Sequence, residues 1–267
     1  MENTTMTPST PMTPAELQTQ RATYVRRLGD NTLILSQRLS EWCGKGPAME
    51  EDMALTNVAL DLIGQARLWL GYAAELEGGT SDEDKLAFLR DAPQFGNLLL
   101  IELPNGNYGD TIARQFFFDS WHYYLLLELC KSNDTRIADI AEKSLKEVTY
   151  HLRRSGDLMV RLGDGTELSH RMMQTAIDKI WMYTGEMFRP DAIDSAMQEC
   201  GAAPDLSKLH ALWVSHVQEI LSEATLTMPA VDAWMQKGGK QGQHTEHLGY
   251  LLAEMQFLQR AYPDSKW

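Results

Sequence analysis

Cysteine is scarce in this chain. Of 267 residues only three are cysteine, Cys43, Cys130 and Cys200, an odd number with no close spacing. That excludes a disulfide framework and a zinc knuckle, and it fits a reducing, cytoplasmic setting. Positive charge is also in deficit: 24 Lys and Arg stand against 37 Asp and Glu, a formal net charge of −13. Non-specific binding to nucleic acid needs clustered cations, so nucleic acid is not an expected partner. No apolar run approaches the ~18 residues that suggest a membrane span. The richest stretches, Leu98 to Leu103 and Tyr123 to Leu129, are interrupted by Glu102 and Glu128. Membrane insertion is therefore not expected either. Alternating β-branched runs flanked by turn residues are lacking, which argues against strands. A Gly-x-Ser-x-Gly elbow, a dinucleotide or P-loop glycine pattern and a repeat are absent as well.

The apolar fraction is 43 %, enough for a sizeable core. Proline placement shows where that core is built, because proline interrupts helix interiors. There are 85 residues without proline between Pro104 and Pro190, and 45 between Pro47 and Pro93. Inside these intervals the apolar spacing is helical. Leu55, Ala59, Leu62, Ala66, Trp69 and Ala73 form one stripe. Ile112, Phe116, Asp119, Tyr123, Leu126 and Cys130 form a second, with one carboxylate in it. Ile137, Ala141, Leu145, Val148, Leu152 and Ser155 form a third, and Tyr24, Leu28, Leu35, Leu39 and Trp42 a looser fourth. Such a period suits helices packed at a shallow angle.

The spacing predicts four long helices near Ala15–Trp42, Glu50–Leu76, Gly109–Cys130 and Thr135–Leu162. A broken segment, Gly78 to Tyr108, lies between the second and third. Further helices are predicted at Ser169–Phe188, Leu206–Thr225 and Gln243–Ala261, with the Lys237-Gly-Gly-Lys240 loop between the last two. Two helical hairpins joined by a long crossover is the connectivity of ferritin-like bundles. The expected fold is thus all-α, a ferritin-like four-helix bundle with a long crossover and additional C-terminal helices. Met1 to Thr13, rich in Thr and Pro, reads as a disordered tail and not as a secretion signal. The domain division drawn from this is a tail over 1–18 and one helical domain over 19–267.

A bundle of this kind holds two metal ions with a Glu from each of two helices and a Glu-x-x-His pair from each of the other two. The i, i+3 spacing puts both side chains of a pair on one face. The one literal Glu-x-x-His is Glu167 with His170, after Gly163-Asp-Gly-Thr166. There Thr166 reads as an N-cap and Glu167 as a first-turn acid. Asp119 and His122 share the spacing in mid-helix, with Asp119 on the apolar stripe. They read as a hydrogen-bonded pair inside the bundle or as part of a metal site. Arg114, Lys146 or Arg153 could balance the buried carboxylate. Asn57, Asp61 and Gln65 form a polar line suited to bonding between helices. Glu147 and His151 are four apart, and Val148 stands where a Glu-x-x-His pair ending at His151 would need its acid. His244, Glu246 and His247 read as capping and surface bonding, with a bound metal as the alternative. The turn Gln94-Phe95-Gly96-Asn97 reads first as an ordinary turn; its backbone amides could also meet a phosphate or amide group, and it is retained as a weak substrate-contact candidate. Met172, Met173, Met182, Met187 and Met197 read as core or contact residues.

Several longer runs resemble the C-type chains of bacterial phenylacetyl-CoA epoxidases. They are Leu28-Gly-Asp-Asn31, Gln37-Arg-Leu-Ser-Glu-Trp-Cys-Gly44, Leu60-Asp-Leu-Ile-Gly-Gln-Ala-Arg67, Glu102-Leu-Pro-Asn-Gly-Asn107, Asp110-Thr-Ile-Ala-Arg-Gln115, Lys146-Glu147 with Tyr150-His-Leu-Arg153, Glu223-Ala-Thr-Leu226, His244-Thr-Glu-His-Leu-Gly249, Ala253-Glu-Met-Gln256 and Trp267. The resemblance spans about Tyr24 to Trp267. It implies a ferritin-like subunit of a multicomponent oxygenase that converts phenylacetyl-CoA to a ring-1,2-epoxide in phenylacetate catabolism. It implies that a related catalytic subunit holds the di-iron centre and that a reductase with FAD and an iron–sulfur cluster supplies electrons from NADPH. This chain would then bind no cofactor and pair with the catalytic subunit in a dimer of heterodimers, with the reductase as a further candidate partner.

The catalytic relatives carry Asp-Glu-Ala-Gly-His where this chain has Asp61-Leu62-Ile63-Gly64-Gln65. They carry Lys-Glu-Glu-x-x-His where it has Lys146-Glu147-Val148-Thr149-Tyr150-His151. By that resemblance Leu62, Gln65 and Val148 are lost ligand positions, and only His151 survives. No catalytic residue and no metal ligand are then expected here. The alternative is a metal-binding oxidoreductase with an atypical set, Asp119, His122 and His151.

Overall fold

The computed structural model describes residues 12–263 and 265. The first helix, α1, runs Pro14–Ser40. Its start is dictated locally. The Glu16 amide donates to Thr13 Oγ1 at 3.3 Å, and Glu16 Oε2 accepts from the Thr13 amide at 2.8 Å, a capping box with proline at the first helical position. The boundary at residue 18 is therefore corrected: residues 14–18 are helical. The rest of the expected tail, 1–11, and Trp267 lie outside the described residues.

Helix α2 is Met49–Glu77 and stops at Gly78, whose φ of 71° favours glycine. The crossover follows as α3 (Glu83–Phe88), a 3-10 turn at Ala92–Gln94 and α4 (Leu99–Glu102). Then come α5 (Tyr108–Leu129), capped by Asn107 with Asp110, and α6 (Thr135–Gly163), capped by Asp134. Helix α1 lies along α2, α5 along α6, and the two hairpins meet where α2 faces α6. Gly29 of α1 makes the first hairpin close: a Cβ there would stand 2.7 Å from the Leu70 side chain. The expected four helices, their crossover and their pairing are present.

The outer helices depart from expectation. α7 is Glu167–Ile180, and two 3-10 turns, Trp181–Tyr183 and Gly185–Phe188, replace the helix expected up to Phe188. Tertiary packing ends it. Trp181 lies 5.6 Å from the rings of both Phe117 and Trp213, and its Nε1 donates to the Ala230 carbonyl at 3.0 Å. α8 (Ala192–Glu199), capped by Asp191, has no sequence-derived counterpart. α9 is Leu206–Glu223, and the last expected helix is two pieces, α10 (Glu246–Met255) and α11 (Phe257–Ala261). No strand occurs among the described residues.

Candidate functional site

The centre of the bundle lies where α2, α5 and α6 meet. The apolar stripes turn Leu62 and Val148 inward, and both are completely buried. Each belongs to the continuous hydrophobic core. Hydrocarbon thus occupies two of the positions where the resemblance puts carboxylate ligands. The third, Gln65, is buried and donates through Nε2 to Glu147 Oε2 at 2.9 Å. The fourth, His151, is buried too. Its Nε2 donates to Asp61 Oδ2 at 3.0 Å, while its Nδ1 has no partner among the described residues. The polar line on α2 therefore does bond between helices, through Asp61 and Gln65 but not through Asn57, which is exposed.

Asp119 and His122 are both buried, yet they do not bond to each other. Asp119 accepts from Gln115 Nε2 at 2.6 Å and from Ser155 Oγ at 2.8 Å. The hydrogen-bonded pair expected between them is corrected accordingly. Burial pushes the Asp119 carboxyl up to about 6, against the pull of His151 and its two donors. Burial, reinforced by nearby His151, pushes His122 down to about 3, so its ring is neutral. It packs 5.1 Å from the Phe118 ring and stacks on Trp121, with Nδ1 unpartnered. The cations expected to balance Asp119 are elsewhere. Arg114 donates to the Leu103 carbonyl and Asn105, both at 2.6 Å, and Lys146 and Arg153 are exposed. Among the arginines and lysines it is Arg154 whose charge Asp119 feels, after that of His151.

A di-iron centre needs several carboxylates and two imidazoles around one cavity. The donor set here does not fit one. It offers two aliphatic chains, two neutral amides, two histidines, and three carboxylates that are already engaged, Asp119 by Gln115 and Ser155, Asp61 by His151 and Glu147 by Gln65. Among the described residues, no three His, Cys, Asp or Glu side chains are grouped to hold a metal ion. Glu167 and His170 sit at the start of α7. Thr166 caps it, and His170 Nδ1 lies 2.8 Å from the Gly163 carbonyl.

The turn at Gln94–Asn97 is committed internally. Asp30 Oδ2 accepts from the Gly96 amide at 2.9 Å, and Asn31 Oδ1 from the Leu98 amide at 2.8 Å. The Phe95 amide goes to Ala92, Phe95 itself is buried, and Asn97 Nδ2 donates to Glu102 Oε2 at 3.0 Å. As a cradle of free amides for a substrate this turn offers little, since its Gln94, Phe95 and Gly96 amides already have partners. Nearby, His244 places Nδ1 2.8 Å from Glu102 Oε2 and Nε2 2.9 Å from the Phe95 carbonyl. Both are acceptors, so both nitrogens carry protons. Burial opposes that charge, but the Glu102 bond and charge outweigh it and hold the ring above its ordinary value. His244 is thus a buried anchor and not a surface cap. The signal for Glu102 was its place inside an apolar run.

Fold and site together define a ferritin-like helical protein whose centre is filled with side chains. The chain belongs to the phenylacetic acid catabolic protein family, whose model matches residues 2–267. It is 54 % identical over 248 residues to the C component of the 1,2-phenylacetyl-CoA epoxidase of Escherichia coli K12, covering 93 % of this chain and 99 % of that one. It is 22 % identical over 174 residues to the A component of the same enzyme, covering 64 % of this chain and 55 % of the relative.

Proposed function

We propose that this chain is the non-catalytic structural subunit of a cytoplasmic phenylacetyl-CoA epoxidase, bracing a related catalytic subunit that holds the di-iron centre. One observation carries the reading: Leu62 and Val148, fully buried, fill the ligand positions with hydrocarbon. Each such side chain contributes ~1.5–3 kcal/mol of burial, so the bundle is stable without ions. A supporting subunit of this kind holds a partner's active-site helices in place. The chain binds no cofactor in this reading. Iron belongs to the catalytic partner, and FAD and the iron–sulfur cluster to a reductase, itself a candidate contact.

The stripe of Met53, Leu60 and Ile63, exposed on α2, is the face we assign to the A-type catalytic partner, since exposed apolar patches mark partner surfaces. The test is co-expression with that partner, size-exclusion chromatography and iron analysis of each peak. The expected result is a complex in which all iron follows the partner, and Leu60→Asp with Ile63→Asp releases this chain. A stoichiometric di-iron centre in the isolated chain would overturn the reading. The second reading, one ion held by Asp119, His122 and His151, has the two unpartnered ring nitrogens in its favour and the lack of a three-ligand grouping among the described residues against it. It predicts metal in the isolated chain that His122→Leu removes.

A further inference from the structure

A cleft of about 330 Å³ opens between α1, the turn after Pro93 and the loop at Lys240–Gly242. Its walls include Arg26, Arg27, Arg90 and Lys240, and no carboxylate. That is notable on a chain with a net charge of −13. The cations come from three regions far apart in sequence, so the fold gathers them.

Each is held from behind. Arg27 Nη2 donates to Asp191 Oδ2 and to the Lys240 carbonyl, both at 2.8 Å. Arg90 is paired with buried Asp30 and lies 4.1 Å over the Phe95 ring. Lys240 Nζ donates to Asp194 Oδ2 at 2.8 Å, and Arg26 pairs with Glu77. These bonds fix the side chains in advance, which lowers the ordering cost of binding.

Arg27 is the telling residue. It is only 8 % exposed, yet its Nε and Nη1 have no partner among the described residues. A buried N–H without an acceptor is destabilising, and for a charged group more so. Gly96 permits the arrangement, because a Cβ there would stand 2.7 Å from Arg27 Cγ and push the guanidinium away from the turn. A spare guanidinium edge beside further cations matches the oxygens of a phosphate group. Each of the four cations is balanced by a carboxylate behind it, so the cleft would recognise an anion by its donors and not by a net positive field. The volume is at the lower end for small-molecule sites, enough for a diphosphate but not for a whole nucleotide thioester.

We infer that this cleft binds the diphosphate group of a phosphate ester, with Arg27 as its central donor and Arg26 and Lys240 at its sides. The inference rests on this chain's own cations and does not need the bracing role, so the two can fail separately.

The test is calorimetric titration of the full chain with inorganic pyrophosphate at fixed ionic strength, with sulfate as the control anion. Saturable binding of pyrophosphate is expected, weakened roughly tenfold by Arg27→Gln, which removes charge-assisted bonds. Because Arg27 is buried and its variant could unfold, Arg26→Gln is the second probe. It keeps every bond of Arg27 and should weaken binding by about three- to fivefold through lost charge. ADP and coenzyme A then distinguish the sources, a free nucleotide or an acyl-carrier thioester. Binding of either, in competition with pyrophosphate, supports the site. Heats equal to those of sulfate, or pyrophosphate binding unchanged in a folded Arg26→Gln variant, would show an adventitious ion only and overturn it. So would coenzyme A binding that pyrophosphate does not displace.

Discussion

Two buried polar regions of this molecule are built on opposite plans. At the crossover, the carboxylates are paired many times over. Glu102 accepts from Asn97, from His244 and from the Thr245 amide at 2.6 Å. Glu186 accepts from the Leu99 amide at 3.0 Å and the Gly238 amide at 2.8 Å, and Asp30 holds Arg90 and the Gly96 amide. At the bundle centre, His122 Nδ1, His151 Nδ1, Gln65 Oε1 and Gln115 Oε1 have no partners among the described residues. The difference separates two uses of buried polarity. Carboxylates bonded several times over fasten an irregular segment that has no ladder of its own, although Asn97 Oδ1 there also has no partner among the described residues. Under-connected groups on regular helices are not needed to hold those helices, whose stripes already do so.

The largest expected effect breaks the first plan. Glu102→Ala leaves the His244 imidazolium and the Thr245 amide without their carboxylate, and Asn97 Nδ2 with only the Leu98 carbonyl at 3.1 Å. Losing one partner of a buried pair typically costs ~3–5 kcal/mol. Urea unfolding should show the midpoint fall with an unchanged slope. A loss below ~1 kcal/mol would mean that the anchor is screened like a surface pair.

Next in size is the titration of Asp119. Its folded value of about 6 lies above its ordinary 3.8. The protonated form is therefore the favoured one in the fold. Its contribution is fully present below 3.8 and is lost as pH rises through about 6. The shift of about two units corresponds to about 3 kcal/mol. Asp119→Asn removes the titration, so its stability relative to the parent should rise by that order between pH ~4 and ~7. A pH-independent difference would refute the burial argument.

His244 sharpens the contrast, because stability there also falls as pH rises but for the opposite reason. Its charged ring is the one the fold requires. The raised value means that its contribution is present below 6.5 and fades as pH climbs through the folded value. His244→Asn should therefore flatten the decline of stability on the alkaline side of neutrality, an effect smaller than that of Glu102→Ala. The check is thermal unfolding across that range in both variants. An undiminished decline would show that the ring is not the group that titrates.

How much of this could be read beforehand follows the range of the interactions. The helices of the bundle are local patterns, and the stripes through Leu62 and Val148 already pointed inward. The capping box at Thr13 and Glu16 was equally local, and it lies within the first eighteen residues assigned to a tail. The inward bonding of the turn at Gln94–Asn97 was not legible, because a turn looks the same whether its amides face solvent or Asp30, more than sixty residues away. The break at Gln256 was hidden for the same reason: its side chain donates to the carbonyls of Ala87 and Arg90, which stop the helix from outside. Asp119 was rightly placed on a buried stripe, but its partner Ser155 sits on another helix, and spacing along α5 offers His122 at i+3 and Gln115 at i−4 alike, of which only Gln115 bonds.

The smallest effect bears most directly on what the bundle centre does. His122 is buried, neutral and bonded through Nδ1 to nothing among the described residues. A leucine in its place removes a buried polar atom that gains nothing in return. Replacing such a group by an apolar one of similar shape is nearly neutral or stabilising. His122→Leu should thus change the unfolding free energy by less than ~1 kcal/mol, of either sign. His151→Leu should cost more, since it strips Asp61 of its donor across the α2–α6 contact. If His122→Leu instead destabilises strongly, and the loss is reproduced in the parent by a chelator, the orphan nitrogen has a metal partner and the centre is not a filled one. If chelation leaves the parent unchanged, the two imidazoles are fillers, and the contrast with the crossover stands.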